Sequence, residues 1–472
     1  MEFNSYLFVL FYLPLVVCGF YVVGRLDRPI INRIYLICAS LLFYWYSQQA
    51  VIIFLFISII FNFAIQKAMM YFNPKVLLGI GIIANVGALG YIKYLNFGIE
   101  LSNIFLNTHF SVREVVVPLG ISFITFQQID FLVNVYKNTS ENLCLDEYAA
   151  GIVLFPHLTQ GPIFDSKSFI PMIRVLSPKI NWDNMAMGIT VFAMGLAKKT
   201  LLADLYGPLV NVVYADLSKL NLISAIYVSL AYSLQIYFDF SGYCDMAMGI
   251  GMLLNIEIPI NFNSPYKARN ILEFWDRWHI TLTSFLTKYV YIPLGGNRRG
   301  NARTYVNILI VFLISGLWHG ASITFVIWGL LHGLATVLTR LFKSIAEKIP
   351  VAISRILTFA FVTIAWIPFR AGSFGQMKDF IGGMRNSGYM LEECVSAYFS
   401  EKYGSLSYVG SSTVAWVAVI IGLLIVFVAP NTMEMAKKKK YNMITLFAIT
   451  ILLVLSVIST STGTTTYVYM DF

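Results

Sequence analysis

The sequence predicts an all-α, polytopic membrane protein, on three observations. Hydrophobic residues make up 58% and charged residues 12% of the 472, with a mean hydropathy of +0.72; a soluble domain carries roughly twice that charged fraction. The apolar residues gather into runs long enough to cross about 30 Å of hydrocarbon at about 1.5 Å per residue. Those runs do not alternate polar with apolar residues, as the strands of a transmembrane barrel would. The net charge of +9 falls largely in short loops between runs. That pattern places basic loops on the cytoplasmic side, so the expected contact is a lipid bilayer and not nucleic acid.

Taken in order, residues 6–23, 31–47, 50–69 and 75–94 are expected as four spans. The first is read as a retained helix: it has no basic region before it and no small-residue cleavage site. Arg25, Arg28 and Arg33 flank one loop and Lys67 and Lys75 another, which puts both in the cytoplasm and the N-terminus outside. Residues 115–136 start at Pro118 and Gly120, which break the chain ahead of a helix carrying Gln127, Gln128 and Asp130. Three such side chains do not all face lipid, so this helix is expected inside the protein. Phe155-Pro156-His157 and Gly161-Pro162 interrupt the next run; broken helices are tolerated where protein or a watery cavity surrounds them. Residues 165–184 are expected as loop.

Residues 185–215, with Lys198, Lys199 and Asp204, are expected to lie along the interface rather than to span. Residues 222–250 form a long apolar helix that carries Asp239 and Asp245 either as a cavity wall or as bonds to a neighbour. Later helices are expected at 303–316, 319–341, 351–369, 409–429 and 441–460. The polar loop 371–408 is placed outside, and Lys437 to Lys440 on the cytoplasmic side. The whole chain, 1–472, is expected as a single transmembrane domain. Five scattered cysteines with no CxxC pair predict neither a disulfide framework nor a metal site.

Chemistry concentrates in residues 271–333, which hold three of the five histidines. Residues 274–289 suit an amphipathic helix, with Asp276, His279 and Thr283 on one stripe. Asp276 is expected to reach His279 at i+3 and orient its ring. The glycine turn Gly295-Gly296-Asn297-Arg298-Arg299-Gly300 offers two guanidinium forks of the kind that pair with phosphate; a loop obeying the charge rule is the plainer alternative. His319 stands in apolar sequence between Gly316 and Gly320, small residues that admit a substrate or another helix. His332 lies thirteen residues further on, about 220° around a continuous helix, and is expected to pack structurally beside Gly329 and Gly333. No GxSxG elbow and no HExxH are present. A buried imidazole at His319 taking a hydroxyl proton as the oxygen attacks an acyl carbon is the best-fitting chemistry. His279 would polarise a carbonyl, hold the acceptor or position the donor.

These motifs run in collinear order: Gln235 to Asp245, Asn261-Phe-Asn-Ser-Pro-Tyr266, Phe274-Trp275 to His279, Ile292 to Arg298, and Leu317-Trp-His-Gly-Ala-Ser322. Val117 to Gln127 and Phe155 to Ile163 belong with them. Together they resemble the membrane-bound O-acyltransferase family, and more narrowly its alginate O-acetyltransferase branch. The resemblance implies roughly eleven helices with re-entrant segments around a central tunnel. It implies His319 as the catalytic residue and His279 as its assistant. It implies transfer of an acetyl or other small acyl group from a cytoplasmic thioester, typically acetyl-CoA, to an exported or cell-wall polysaccharide, with alginate-like exopolysaccharide favoured. Asn297, Arg298 and Arg299 are then candidate donor contacts. A bacterial inner-membrane location, no bound cofactor or metal, and a periplasmic or membrane-anchored acyltransferase partner are the further expectations. The rivals are D-alanyl transfer to teichoic acids, a polysaccharide or lipid transporter, and a scaffold for a separate acyltransferase.

Overall fold

The computed structural model describes residues 1–49, 51–137, 143–176, 178–387, 411–438, 442–460 and 467–468. Among them the chain is helical, with no strand beyond isolated bridges. Nine helices there are long and apolar enough to cross a membrane, or ten if a pair bent by 61° counts as one span. The protein is therefore an all-α, multi-pass membrane protein. Residues 1–192 with 245–259 form one compact unit, and residues 193–244 with 260–472 a second.

The first unit opens with α1 (Leu7–Gly24), α2 (Pro29–Ser47), α3 (Ile52–Ala68) and α4 (Pro74–Phe105). The fourth runs past its expected end at residue 94 because a π-helical turn, Gly90–Tyr94, carries the helix on. Asn62 on α3 and Asn85 on α4 exchange amide hydrogen bonds of 3.2 and 2.6 Å. In an apolar setting each pair of this kind satisfies groups that are costly to leave bare. The helix α5 (Ile121–Lys137) buries Gln127, Gln128 and Asp130, as its composition requires. Each is met from inside the unit. Gln127 Nε2 lies 2.8 Å from His157 Nδ1, Tyr148 bonds to Gln128, and the Ser166 N–H donates to Asp130 at 2.7 Å.

The two broken segments explain each other. Gly120 adopts φ +75°, and a Cβ there would stand 2.5 Å from the Leu158 carbonyl. A Cβ on Gly161 would stand 2.3 Å from His157 Cα. Gly120 thus lets the chain after α7 (Phe155–Leu158), which follows α6 (Leu145–Val153), approach the start of α5, and Gly161 lets that chain fold back tightly on α7 itself. The expected loop 165–184 contains a helix, α8 (Ser166–Arg174), whose Arg174 pairs with Glu147 at 3.0 Å.

The next helix corrects an expectation. Residues 185–215 are not too charged for a span: they belong to α9 (Trp182–Ala215), a helix long and apolar enough to cross a membrane. Within it Lys199 and Asp204 are five residues apart, about 140° around an α-helix. A π-helical turn, Lys198–Ala203, brings them to one side. The Lys199 ammonium lies 2.8 Å from Asp204 and 2.8 Å from Asp239 of α10 (Leu222–Leu253). Asp239 also accepts the Val468 N–H at 2.8 Å, and the Tyr467 ring lies under the ammonium at 4.6 Å. The charges are tolerated inside because the ammonium bridges both carboxylates, so each buried charge has an opposite partner. Asp239 is accordingly bonded to neighbours and is not simply a cavity wall.

The second unit continues through α11 (Ile271–Trp275), α12 (Ile280–Leu286), α13 (Asn301–His319) and α14 (Ile323–Leu341). It then runs through α15 (Val351–Arg370), α16 (Phe374–Gly383), α17 (Ser411–Val428), α18 (Thr432–Lys438) and α19 (Met443–Thr460). Helices α13 and α14 form an antiparallel hairpin whose contact is made of glycines. A Cβ on Gly316 would meet the Phe325 carbonyl at 2.3 Å, and one on Gly329 the Phe312 carbonyl at 2.4 Å. The glycines around His319 therefore admit a helix. The buried core here is aromatic, with Trp278, Trp328 and Trp366 among its largest side chains. The polar loop 371–408 is described only to residue 387, and the lysine run Lys437 to Lys440 only to Lys438; the remainder of each lies outside the described residues.

Candidate active site

The backbone around His279 is set by a two-stranded contact, not by one amphipathic helix over 274–289. Phe262 bridges Trp278 in antiparallel sense. The Asn263 N–H donates to Arg277 O at 2.9 Å, and the Ile280 N–H to Asn261 O at 3.1 Å. His279 then takes the left-handed conformation, φ 47° and ψ 52°, between α11 and α12. A non-glycine residue there carries about 1–2 kcal/mol of strain, a burden typical of sites that fix a side chain for a task. The break rotates His279 away from the Asp276 stripe. The expected Asp276–His279 pairing does not form; His279 Nδ1 lies 3.2 Å from Asn261 Oδ1. That partner was missed because a contact between residues eighteen positions apart needs the turn at 264–270, which no helical periodicity encodes.

His319 is the last residue of α13, not the first of the next helix, and is 3% exposed. Its ring lies 5.0 Å from Trp328, 5.2 Å from Phe369 and 6.4 Å from the His279 ring. The structure thus brings together the two histidines that the sequence singled out. Phe240 packs edge-on to His279 at 4.9 Å and Trp318 at 5.7 Å, so both imidazoles sit in an aromatic wall.

His332 needs a corrected reason. His319 and His332 do not share one continuous helix; they lie on different arms of the hairpin. Both rings touch Trp328, His332 at 4.8 Å. His332 is fully buried among Trp275, Trp328 and Phe361, and neither of its ring nitrogens has a hydrogen-bond partner among the described residues. An imidazole so placed acts as an aromatic packing element, which agrees with the structural role expected for it.

A cavity of about 400 Å³ opens between residues of α11, α12, α13 and α14. Asp276, Thr283, Thr287, Tyr291 and Arg340 give it a polar side, and Trp275, Phe312 and Ser315 are also in its wall. Ser315 is about one helical turn before His319 on α13. The Trp275 Nε1–H and the Tyr291 hydroxyl are buried with no hydrogen-bond partner among the described residues, groups that a polar ligand would satisfy. Two members of the predicted stripe, Asp276 and Thr283, do line this cavity; His279 does not.

The arginine turn is built rather than loose. Gly295, Gly296 and Gly300 take φ of +106°, +55° and +82°, and the Asn307 amide holds the Gly296 carbonyl at 2.9 Å. Gly296 rests near the Tyr291 ring, which lines the cavity. Asn297, Arg298 and Arg299 are themselves exposed and do not line it.

The family model for membrane-bound O-acyltransferases matches residues 103–370. The chain is 38% identical over 417 residues to a peptidoglycan O-acetyltransferase of Helicobacter pylori, covering 81% of this chain and 79% of that one. It is 34% identical over 383 residues to a probable alginate O-acetylase of Pseudomonas aeruginosa, covering 79% and 72%. A teichoic acid D-alanyltransferase of Streptococcus thermophilus is 26% identical over 235 residues, covering 47% and 56%. The matched region contains both histidines, the arginine turn and every residue that lines the cavity, and on these matches the chain belongs to the membrane-bound O-acyltransferase family and is an enzyme of that class.

Proposed function

We propose that the protein carries an acetyl group from a cytoplasmic thioester, acetyl-CoA or an acyl-carrier thioester, to hydroxyls of a cell-wall or exported polysaccharide. The observation that carries this reading is the pair of buried imidazoles, His279 and His319, with ring centroids 6.4 Å apart; a cavity of ligand size reaches α13 at Ser315, about one turn before His319. Small-ligand sites typically measure about 300–1,000 Å³. In the proposed reaction the His319 imidazole takes the proton of the acceptor hydroxyl as its oxygen bonds to the acyl carbon. The carbon–sulfur bond then breaks, and the thiol leaves with that proton. The carbonyl-rich end of α13, where His319 sits, complements the positive charge that develops on the ring. The surrounding tryptophans and Phe369 keep water from competing for the acyl group.

The cavity wall supplies what a thioester arm requires: apolar length from Trp275 and Phe312, and unpaired donors at Trp275 and Tyr291. Arg298 and Arg299 stand outside it, where a donor's phosphates would lie. Charge reversal at both, R298E with R299E, is expected to raise the donor KM about tenfold or more with kcat little changed, since each charged hydrogen bond contributes about 1.5–3 kcal/mol at most. An unchanged donor KM would remove the turn from the site.

The higher identity to a peptidoglycan-acetylating relative than to an alginate-acetylating one favours a wall acceptor. A bacterial inner-membrane location and a partner that completes transfer outside the membrane follow from that reaction. The test is mass analysis of ester-linked acetate on peptidoglycan and on exported polysaccharide from cells with and without the gene. Loss of acetate from one polymer identifies the acceptor. Unchanged acetate on both, with loss of D-alanine esters, would turn the reading to D-alanyl transfer.

A further inference from the structure

We infer that Asn261 is a positioning residue that fixes His279 as the Nδ1–H tautomer, so that His279 holds an acceptor hydroxyl and does not polarise the acyl carbonyl. This rests on the reading that places His279 in the active site.

The Thr281 backbone N–H can only donate, and it points at the Asn261 side chain at 3.1 Å. The atom it meets is therefore the amide oxygen, Oδ1. The other end of the same amide, Nδ2, is then a donor, and it lies 3.4 Å from the Cys244 sulfur, a weak acceptor. Thr281 Oγ1 also bonds to Oδ1, at 3.0 Å. Asn261 is fully buried, and its own carbonyl receives the Ile280 N–H. The amide is thus held at both ends and along its backbone.

His279 Nδ1 stands 3.2 Å from that oxygen. Two lone pairs facing each other at this distance repel, so Nδ1 carries the hydrogen and Oδ1 accepts it. In a neutral imidazole the second nitrogen, Nε2, is then bare. A bare nitrogen accepts a hydrogen bond and donates none. Of the three roles open to a second imidazole beside His319, polarising a carbonyl requires an N–H, and so does positioning the donor by its thioester carbonyl. The remaining one, receiving a hydroxyl of the incoming acceptor, is the one that Nε2 fits. Asn261 does this without touching the reacting atoms. The left-handed turn at His279 and the antiparallel contact of 261–263 with 277–280 bring the two side chains into register.

The first measurement uses the unaltered protein. Solid-state nitrogen NMR of the full chain, labelled at histidine and embedded in lipid bilayers, is assigned by loss of one signal in H279Q. The expected spectrum shows a protonated, pyrrole-type Nδ1 and a bare, pyridine-type Nε2 at His279. The reverse pattern in active protein would overturn the proposal alone. The second measurement compares N261L with N261D, both checked for unaltered elution and melting. Leucine removes the acceptor and lets the ring redistribute between tautomers. Its kcat is expected to fall at least about tenfold, with the acceptor KM raised and the donor KM unchanged, since a wrong tautomer is known to lower turnover far more steeply than binding. Aspartate keeps an acceptor oxygen for Nδ1–H and is expected to restore activity to within about fivefold, because a carboxylate orients an imidazole as well as an amide does. A folded N261L with unchanged kcat and acceptor KM would overturn the positioning role. Full activity in H279Q would overturn the underlying placement of His279 together with its acceptor-holding role.

Discussion

His319→Ala is expected to abolish acyl transfer, a loss of at least about 10²–10⁴-fold, the usual contribution of a positioned general base. The protein should still insert and accumulate. His319 is the last residue of α13, and the hairpin it ends is held by Gly316 and Gly329 rather than by the imidazole. The ring fills a wall of Trp318, Trp328 and Phe369, so its truncation leaves a cavity, not an unpaired charge. His319→Gln separates the two contributions: it fills most of the volume and supplies no comparable base. Activity assayed on purified protein with a labelled thioester, alongside melting temperature, gives both quantities. Full activity in H319A would sink the assignment of this residue, and with it the acyl-transfer mechanism. A transporter or a passive scaffold would tolerate H319Q; an enzyme using this imidazole would not.

The second large effect concerns stability. Lys199→Met is expected to collapse the amount of folded protein. The substitution leaves two buried carboxylates, Asp204 and Asp239, facing each other without the cation that lies 2.8 Å from each. Breaking a buried ion pair on one side typically destabilises by about 3–5 kcal/mol. Replacing all three together, K199M with D204N and D239N, removes the unpaired charge and should recover most of the melting temperature. The triad also receives the Val468 N–H and the Tyr467 ring, so the single variant should loosen that segment as well, read as faster proteolysis there. Equal melting temperatures for wild type and K199M would show that the charges contribute nothing to stability.

Both effects trace to residues visible in the sequence, but they were not equally legible. The histidines stood out because a titratable side chain in an apolar run is costly and therefore functional or paired. The charged segment 185–215 carried the same kind of signal and led elsewhere. Lys199 and Asp204 face different directions on a regular α-helix, and only the π-helical turn aligns them. Their counter-charge, Asp239, lies on another helix, and nothing in local periodicity links the two. The same limit applied to Asp276, whose i+3 spacing to His279 holds only if the helix is continuous. A left-handed residue at His279 ended that continuity.

The glycines divide in the same way. Gly120 and Gly161 read as breaks beside prolines, and they are breaks. What they make room for, namely the close approach of the chain at 157–159, was decided in three dimensions. Gly316 and Gly320 read as places of close approach open to a substrate or to a helix. The Phe325 carbonyl and the Gly329 backbone occupy the space beside Gly316, which settles the matter in favour of a helix.

By itself, then, the sequence determined the class of protein, the rough place of most spans and the internal position of the polar helix at 121–137, and it singled out His279 and His319 as candidates. It could do so because hydrophobic burial and the expense of stray polar groups act on composition and spacing, which the chain carries openly. The tertiary structure alone decided which polar groups meet. It gave His279 an asparagine partner instead of an aspartate, placed two imidazoles within 6.4 Å across forty residues of chain, and closed an ion triad in apolar surroundings. Those pairings depend on directions set by single backbone irregularities, a left-handed residue and a π-helical turn, and no periodic pattern records them.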